Sequence, residues 1–123
     1  MSRIYHITTR NAALAARQTG EYRPPSLETD GFIHFSQRHQ VLQVANAFYR
    51  GQANLVILVI EPSRLKAELK YEPPFHPLAS PSAPDGDNLF PHLYGPLNLD
   101  AVLEVVDFAP GADGLFSLPA SLL

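Results

Sequence analysis

The sequence of 123 residues contains no cysteine. That absence removes disulfide bridges, zinc ribbons and thiol nucleophiles together, and it suits a reducing cytosol. No apolar run approaches the roughly 20 residues that a membrane helix needs. The longest, Leu55 to Ile60, has the length of a buried strand, and the opening Met1-Ser2-Arg3-Ile4-Tyr5-His6 lacks the apolar stretch of a signal peptide. The expectation is a cytoplasmic protein with no membrane partner. Basic residues are scarce in the second part of the chain. Residues 51–123 carry three against nine acids, whereas residues 1–50 carry six arginines against three acids. A surface built to hold a polyanion would not divide its charge in this way, so nucleic acid is not an expected partner.

What is present suffices for one domain spanning residues 1–123. The hydrophobic fraction is 46%, ordinary for a globular protein, and a chain of this size buries roughly two-thirds of its unfolded surface without staples. Arg3 to Ile7 alternates as a short strand, and Thr8 or Thr9 can cap a helix from Asn11 to about Gln18, closed by Gly20. Pro24-Pro25 and Asp30-Gly31 mark residues 21–30 as a loop. Gly31 to Phe35 reads as a second strand, after which Ser36 is expected to cap a helix over Gln37–Arg50. Leu55–Ile60 is expected to be a central strand covered on both faces. Ala67–Glu72 reads as a strand pairing back on it, and Ala101–Val106 as the last strand. Between them, residues 73–96 hold seven prolines, which points to a long loop, with 73–88 a flap over a cleft. The tail over 110–123 ends in apolar residues and is expected to pack back. Strands outnumber helices and two helices come early, so the fold class is α+β.

Three histidines sit at the ends of predicted elements: His6, His34 and His92. Each has aromatic or hydroxyl neighbours, namely Tyr5 and Thr8, Phe35 and Ser36, and Tyr94. Histidine is the side chain whose ordinary titration falls near neutrality, so a convergence of three would make a site. No two of them have the one- or three-residue spacing that places metal ligands on one strand or helix face, and no metal is expected. A metal hydrolase using these histidines stays a distant alternative. A Ser36–His34 hydrolase pairing lacks the glycine-flanked serine elbow. His39 and His76 read as surface residues.

The motifs Ile4-Tyr5-His6-Ile7-Thr8, followed by Asn11-Ala12-Ala13-Leu14 and Gly20, and Gly31-Phe32-Ile33-His34-Phe35-Ser36 resemble the first two motifs of the ADP-ribosyltransferase superfamily. With Gln40, Ala45-Asn46-Ala47-Phe48-Tyr49 and Phe90-Pro91-His92-Leu93-Tyr94-Gly95-Pro96-Leu97, the pattern is similar to a small bacterial family of unknown function within it. The likeness spans about residues 3–106. It implies a split β-sheet and a cleft lined by His6, Thr8, His34, Ser36, His92 and Tyr94, holding a small-molecule nucleotide, NAD above all. By that likeness His6 would bond a ribose hydroxyl of NAD, and His34, standing where a tyrosine is usual, would stack on nicotinamide. A late-strand glutamate would favour the oxocarbenium-like state as nicotinamide leaves. Here the sequence departs from the superfamily. Glu104 is the available candidate, and His92 and Tyr94 occupy the motif where the glutamate is expected. Two outcomes follow: ADP-ribosyl transfer or NAD glycohydrolysis, or a non-enzymatic sensing or partner-binding module with a degenerate cleft.

Overall fold

In the computed structural model, which describes residues 2–74 and 88–122, the strand Leu55–Ile60 organises the first sheet. This strand, β4, is buried along its whole length and lies between β1 (Ile4–Thr9) and β8 (Val102–Phe108), antiparallel to both. Successive side chains on a strand point to opposite faces. Val56, Leu58 and Ile60 therefore join Ile4 in one core with Ala16, Ile33 and Leu93. Leu55, Ile57 and Val59 join Tyr5 and Ile7 in another with Val41, Ala45 and Phe116. The unbroken apolar run is what a strand covered on both sides requires.

Helix α1 (Arg10–Thr19) follows β1 directly. The Thr9 side chain accepts the Ala12 N–H at 3.1 Å, and Gly20 ends the helix in the left-handed conformation that glycine adopts without a Cβ penalty. Residues 21–30 are more ordered than the prolines suggest. Strand β2 (Glu21–Tyr22) pairs with β7 (Leu97–Asn98), and α2 (Ser26–Thr29) forms one short turn of helix. The second long helix also differs from expectation. A 3-10 turn over Arg38–Gln40 leads into α3 (Val41–Phe48), and Gln37, not Ser36, caps that turn through a reciprocal bond with Gln40. Ser36 is occupied elsewhere, because its backbone bridges to Tyr5.

The larger corrections lie in the second sheet. β5 (Glu68–Glu72) does not pair with β4. It pairs with β6 (Phe90–Tyr94), which in turn pairs with β3 (Ile33–His34), giving the order β3-β6-β5. Phe90–Tyr94 therefore stands in a strand where the prolines suggested loop. Pro91 is tolerated because its carbonyl accepts the Phe35 N–H at 2.9 Å where β3 has already ended, so its missing donor removes little of the ladder. The proposed flap over 73–88 falls mostly on residues 75–87, outside the described residues, as does His76. The tail packs back as expected: Phe116 and Leu122 are buried, the Phe116 N–H donates to Asn46, and Arg38 donates to the Leu122 carbonyl.

The result is an α+β domain with several small sheets. No helix among the described residues is long and apolar enough to cross a membrane.

Candidate functional site

The two three-stranded sheets meet at one backbone bridge, where the Tyr5 N–H donates to the Ser36 carbonyl at 2.9 Å and the Ser36 N–H to the Tyr5 carbonyl at 2.7 Å. Beyond that bridge β1 and β3 do not pair. Between them opens a cavity of about 530 Å3, lined by Tyr5 to Thr9 of β1, by Tyr22, Pro24, Pro25 and Ser26, by Asp30, His34, Phe35 and Ser36, by Val44, Phe48 and Tyr49 of the α3 end, and by Pro74, Phe90 and His92.

Strand alternation explains which groups reach it. Tyr5 turns its N–H and C=O away from β4 toward Ser36, so Ile7, two residues on, turns its own pair the same way. No described strand pairs with Ile7 on that side, and Ile7 lines the cavity. His6 and Thr8 send their side chains to the opposite face from Tyr5 and Ile7, toward Tyr22.

His6 is 9% exposed and wedged between the sheets. Its Nδ1 lies 2.5 Å from the His34 carbonyl and its Nε2 lies 2.8 Å from the Tyr22 hydroxyl, which is 2.9 Å from Thr8 Oγ1. A carbonyl only accepts, so Nδ1 carries the proton. Burial holds the His6 pKa down to about 4 against the partly offsetting bond to His34, so the ring is neutral at pH 7 and Nε2 must accept. Tyr22 O–H then donates to His6, and Thr8 O–H donates to Tyr22. Burial also pushes Tyr22 up to about 12, so it serves as a donor and not as a base. Both nitrogens of His6 are thus engaged within the protein.

The second sheet contributes a different chemistry. Antiparallel pairing puts His34 opposite His92, and on the same face stand Glu72, Lys70 and Tyr94. The ring of His92 stacks on Phe32 at 4.1 Å and meets His34 edge-on at 5.6 Å. Each histidine has a carboxylate. His34 Nε2 is 2.7 Å from Asp30, and His92 Nδ1 is 2.8 Å from Glu72, whose same oxygen accepts the Tyr94 hydroxyl at 2.5 Å. The two donated bonds, Tyr94's first, hold Glu72 below the usual carboxylate range. Burial lowers the His92 pKa, opposed in part by Glu72.

His6, Thr8, His34, Ser36 and His92 all line the cavity. Tyr94 is not among the lining residues and is joined to His92 through Glu72. Glu104 sits exposed on β8, paired with Val59 in the first sheet, at the opposite edge from the β1 wall of the cavity. It cannot serve as the late-strand carboxylate there. Among the described residues, no three His, Asp or Glu side chains are grouped to hold a metal ion.

The family profile described as "Protein of unknown function (DUF952)" matches residues 7–105. The chain belongs to this family. Its match begins just after His6 and takes in Thr8, Asp30, His34, Glu72 and His92. The crystal structure of protein CC0527 from Caulobacter crescentus is similar over 98% of both chains, at 35% identity and a TM-score of 0.81. A double mutant of CC0527 gives 34% and 0.81 over the same share, and its solution structure gives 36% and 0.67 over 94% of this chain and 91% of that one. No curated protein matches the chain.

Within this DUF952 chain, four site residues escaped the sequence reading: Tyr22, Asp30, Phe32 and Glu72. Asp30 and His34 are four residues apart, a spacing that a turn can close. Glu72 ends a recognisable strand, but its partner strand was hidden by Pro91. Tyr22 lay in a stretch read as loop.

Proposed function

We propose that the cavity binds an NAD- or ADP-ribose-like nucleotide and that its chemistry is ADP-ribosyl transfer or NAD glycohydrolysis. The observation that carries this reading is the convergence of His6, Thr8, His34, Ser36 and His92 in a single cavity between two diverging sheets. Its volume lies within the roughly 300–1,000 Å3 of small-molecule sites. The unpaired N–H and C=O of Ile7 match a planar carboxamide, which needs one acceptor and one donor side by side. Phe35, Tyr49 and Phe90 offer aromatic surface for a pyridinium ring.

Charge supports the nicotinamide-riboside end as the part held inside. Among the described lining residues none is Arg or Lys, and the single acid is Asp30. A pyrophosphate finds no cation there, whereas a cationic ring, or the positive charge that develops on ribose as nicotinamide leaves, faces a carboxylate. In this arrangement Asp30 takes the place first given to Glu104.

A binding module without turnover is the second reading. It is favoured by His6, whose two nitrogens are both spent on protein partners. Calorimetry with NAD and ADP-ribose, together with chromatography of released nicotinamide, separates the two. Binding with nicotinamide release over hours is expected. Binding without release leaves the module, and no binding at millimolar ligand removes both.

A further inference from the structure

We propose that His92 is the proton acceptor for an O–H nucleophile in the cavity, with Glu72 and Tyr94 as its positioning residues. The geometry carries this. A carboxylate can only accept, so the contact to Glu72 fixes the His92 proton on Nδ1 and leaves the lone pair on Nε2. Nε2 has no hydrogen-bond partner among the described residues. The space that His92 lines is the cavity. His92 is 3% exposed and held flat against Phe32. The ring is therefore fixed in position with one nitrogen anchored and the other open.

Five polar groups share the face of this ring: Glu68, Lys70 and Glu72 from β5, Tyr94 from its own strand and His34 from β3. Burial keeps the imidazole neutral at pH 7, and Glu72 balances the charge once a proton arrives. His34 differs, because its Nε2 is the nitrogen turned to a carboxylate.

The step that His92 serves rests on the proposed reading of the cavity, although its tautomer and reactivity do not. The nucleophile's oxygen forms a bond to the ribose C1 as the C1–nitrogen bond to nicotinamide breaks. The bonding pair leaves with the ring nitrogen and neutralises the pyridinium. The nucleophile's proton passes to His92 Nε2, giving an imidazolium beside the Glu72 carboxylate. The acceptor class is thus a protic oxygen, water or an alcohol.

Two measurements on the full chain need no ligand. Nitrogen-15 NMR of labelled histidine should find His92 in the Nδ1–H form at pH 7, with its titration midpoint shifted downward in Glu72→Gln, which keeps an acceptor but loses the charge. Diethyl pyrocarbonate should carbethoxylate His92 at Nε2 in the folded wild type. A proton on Nε2, an unmoved midpoint in Glu72→Gln, or a His92 that stays unmodified while the exposed His39 reacts would each overturn the proposal. Where the wild type releases nicotinamide, His92→Gln should lose at least about a hundredfold in rate with NAD affinity kept. A loss below about tenfold overturns the proposal. A wild type that releases none sinks the ADP-ribosyl reading instead, and the NMR and modification results then decide His92 alone.

Discussion

The two three-stranded sheets of this domain are built from opposite materials. The first, β1-β4-β8, has a middle strand of six apolar residues, all of them buried. The second, β3-β6-β5, has a middle strand in which Pro91 and His92 lie between Phe90 and Leu93, and one of its faces carries His34, His92, Tyr94, Glu72 and Lys70. Apolar burial dominates folding energy, so the first sheet carries the stability. The second sheet places fewer apolar groups and spends its face on paired histidines and carboxylates. The cavity lies where the two part, and it takes open backbone and the buried His6 from the first sheet and the carboxylate-paired histidines from the second.

If this division holds, the largest effect on stability should come from the first sheet. Ile57 is fully buried, and Ile57→Ala should lower the unfolding free energy by about 2–5 kcal/mol in urea denaturation. A loss below about 1 kcal/mol would break the comparison.

His6, on the border between the sheets, should give stability a pH dependence. Its folded pKa of about 4 lies below the ordinary 6.5, so the unfolded chain binds the proton more readily. Stability is then full above pH 6.5 and falls as pH drops toward 4, by on the order of 3 kcal/mol. His92 is shifted the same way and adds to the slope. Denaturation midpoints measured from pH 7 to pH 4 test this, and His6→Gln should flatten the curve. A slope equal in wild type and variant would remove His6 from the account.

Gly95 sharpens the comparison within the second sheet. A Cβ built there would lie 2.7 Å from the Ala67 Cβ, a rigid neighbour at the β5 end of the hairpin. Gly95→Ala should therefore cost about 1–3 kcal/mol through overpacking, and thermal unfolding would register it. The smallest effect should come from Glu104→Gln. An exposed side chain on the outer edge should change stability by no more than about 0.5 kcal/mol and leave ligand affinity unchanged. A loss of binding in that variant would return Glu104 to the site.

The same contrast explains what the sequence made legible. β1, α1, β4 and β8 announced themselves because each obeys a local rule: alternation, a Thr cap with a Gly stop, or an unbroken apolar run. β6 breaks a local rule at Pro91, so its sequence has the character of a loop. With β6 hidden, the nearest partner in sequence for β5 is β4, which is not its partner in the fold. The cavity-lining histidines were legible as element ends with polar neighbours. Asp30 and Glu72 were not, since a carboxylate near a turn or at a strand end is ordinarily a solvated charge. Only the fold brings each one against its histidine.

A sheet edge is exposed to intermolecular strand pairing, and among the described residues the first sheet guards its two edges differently. On β8 the guard is charge: Glu104 stands in solvent, and Asp107 pairs with Arg10 at 2.7 Å. Such residues discourage a second chain from docking alongside. This gives Glu104 a physical reason to be where it is, apart from any chemistry. On β1, Ile4–Thr9 carries no Asp, Glu, Lys or Arg, and its one histidine, His6, is buried. Its guard is concavity, since the open backbone at Ile7 is recessed between walls contributed by α3 and the second sheet. A neighbouring polypeptide strand needs a straight and accessible edge, and a recess of this shape does not offer one.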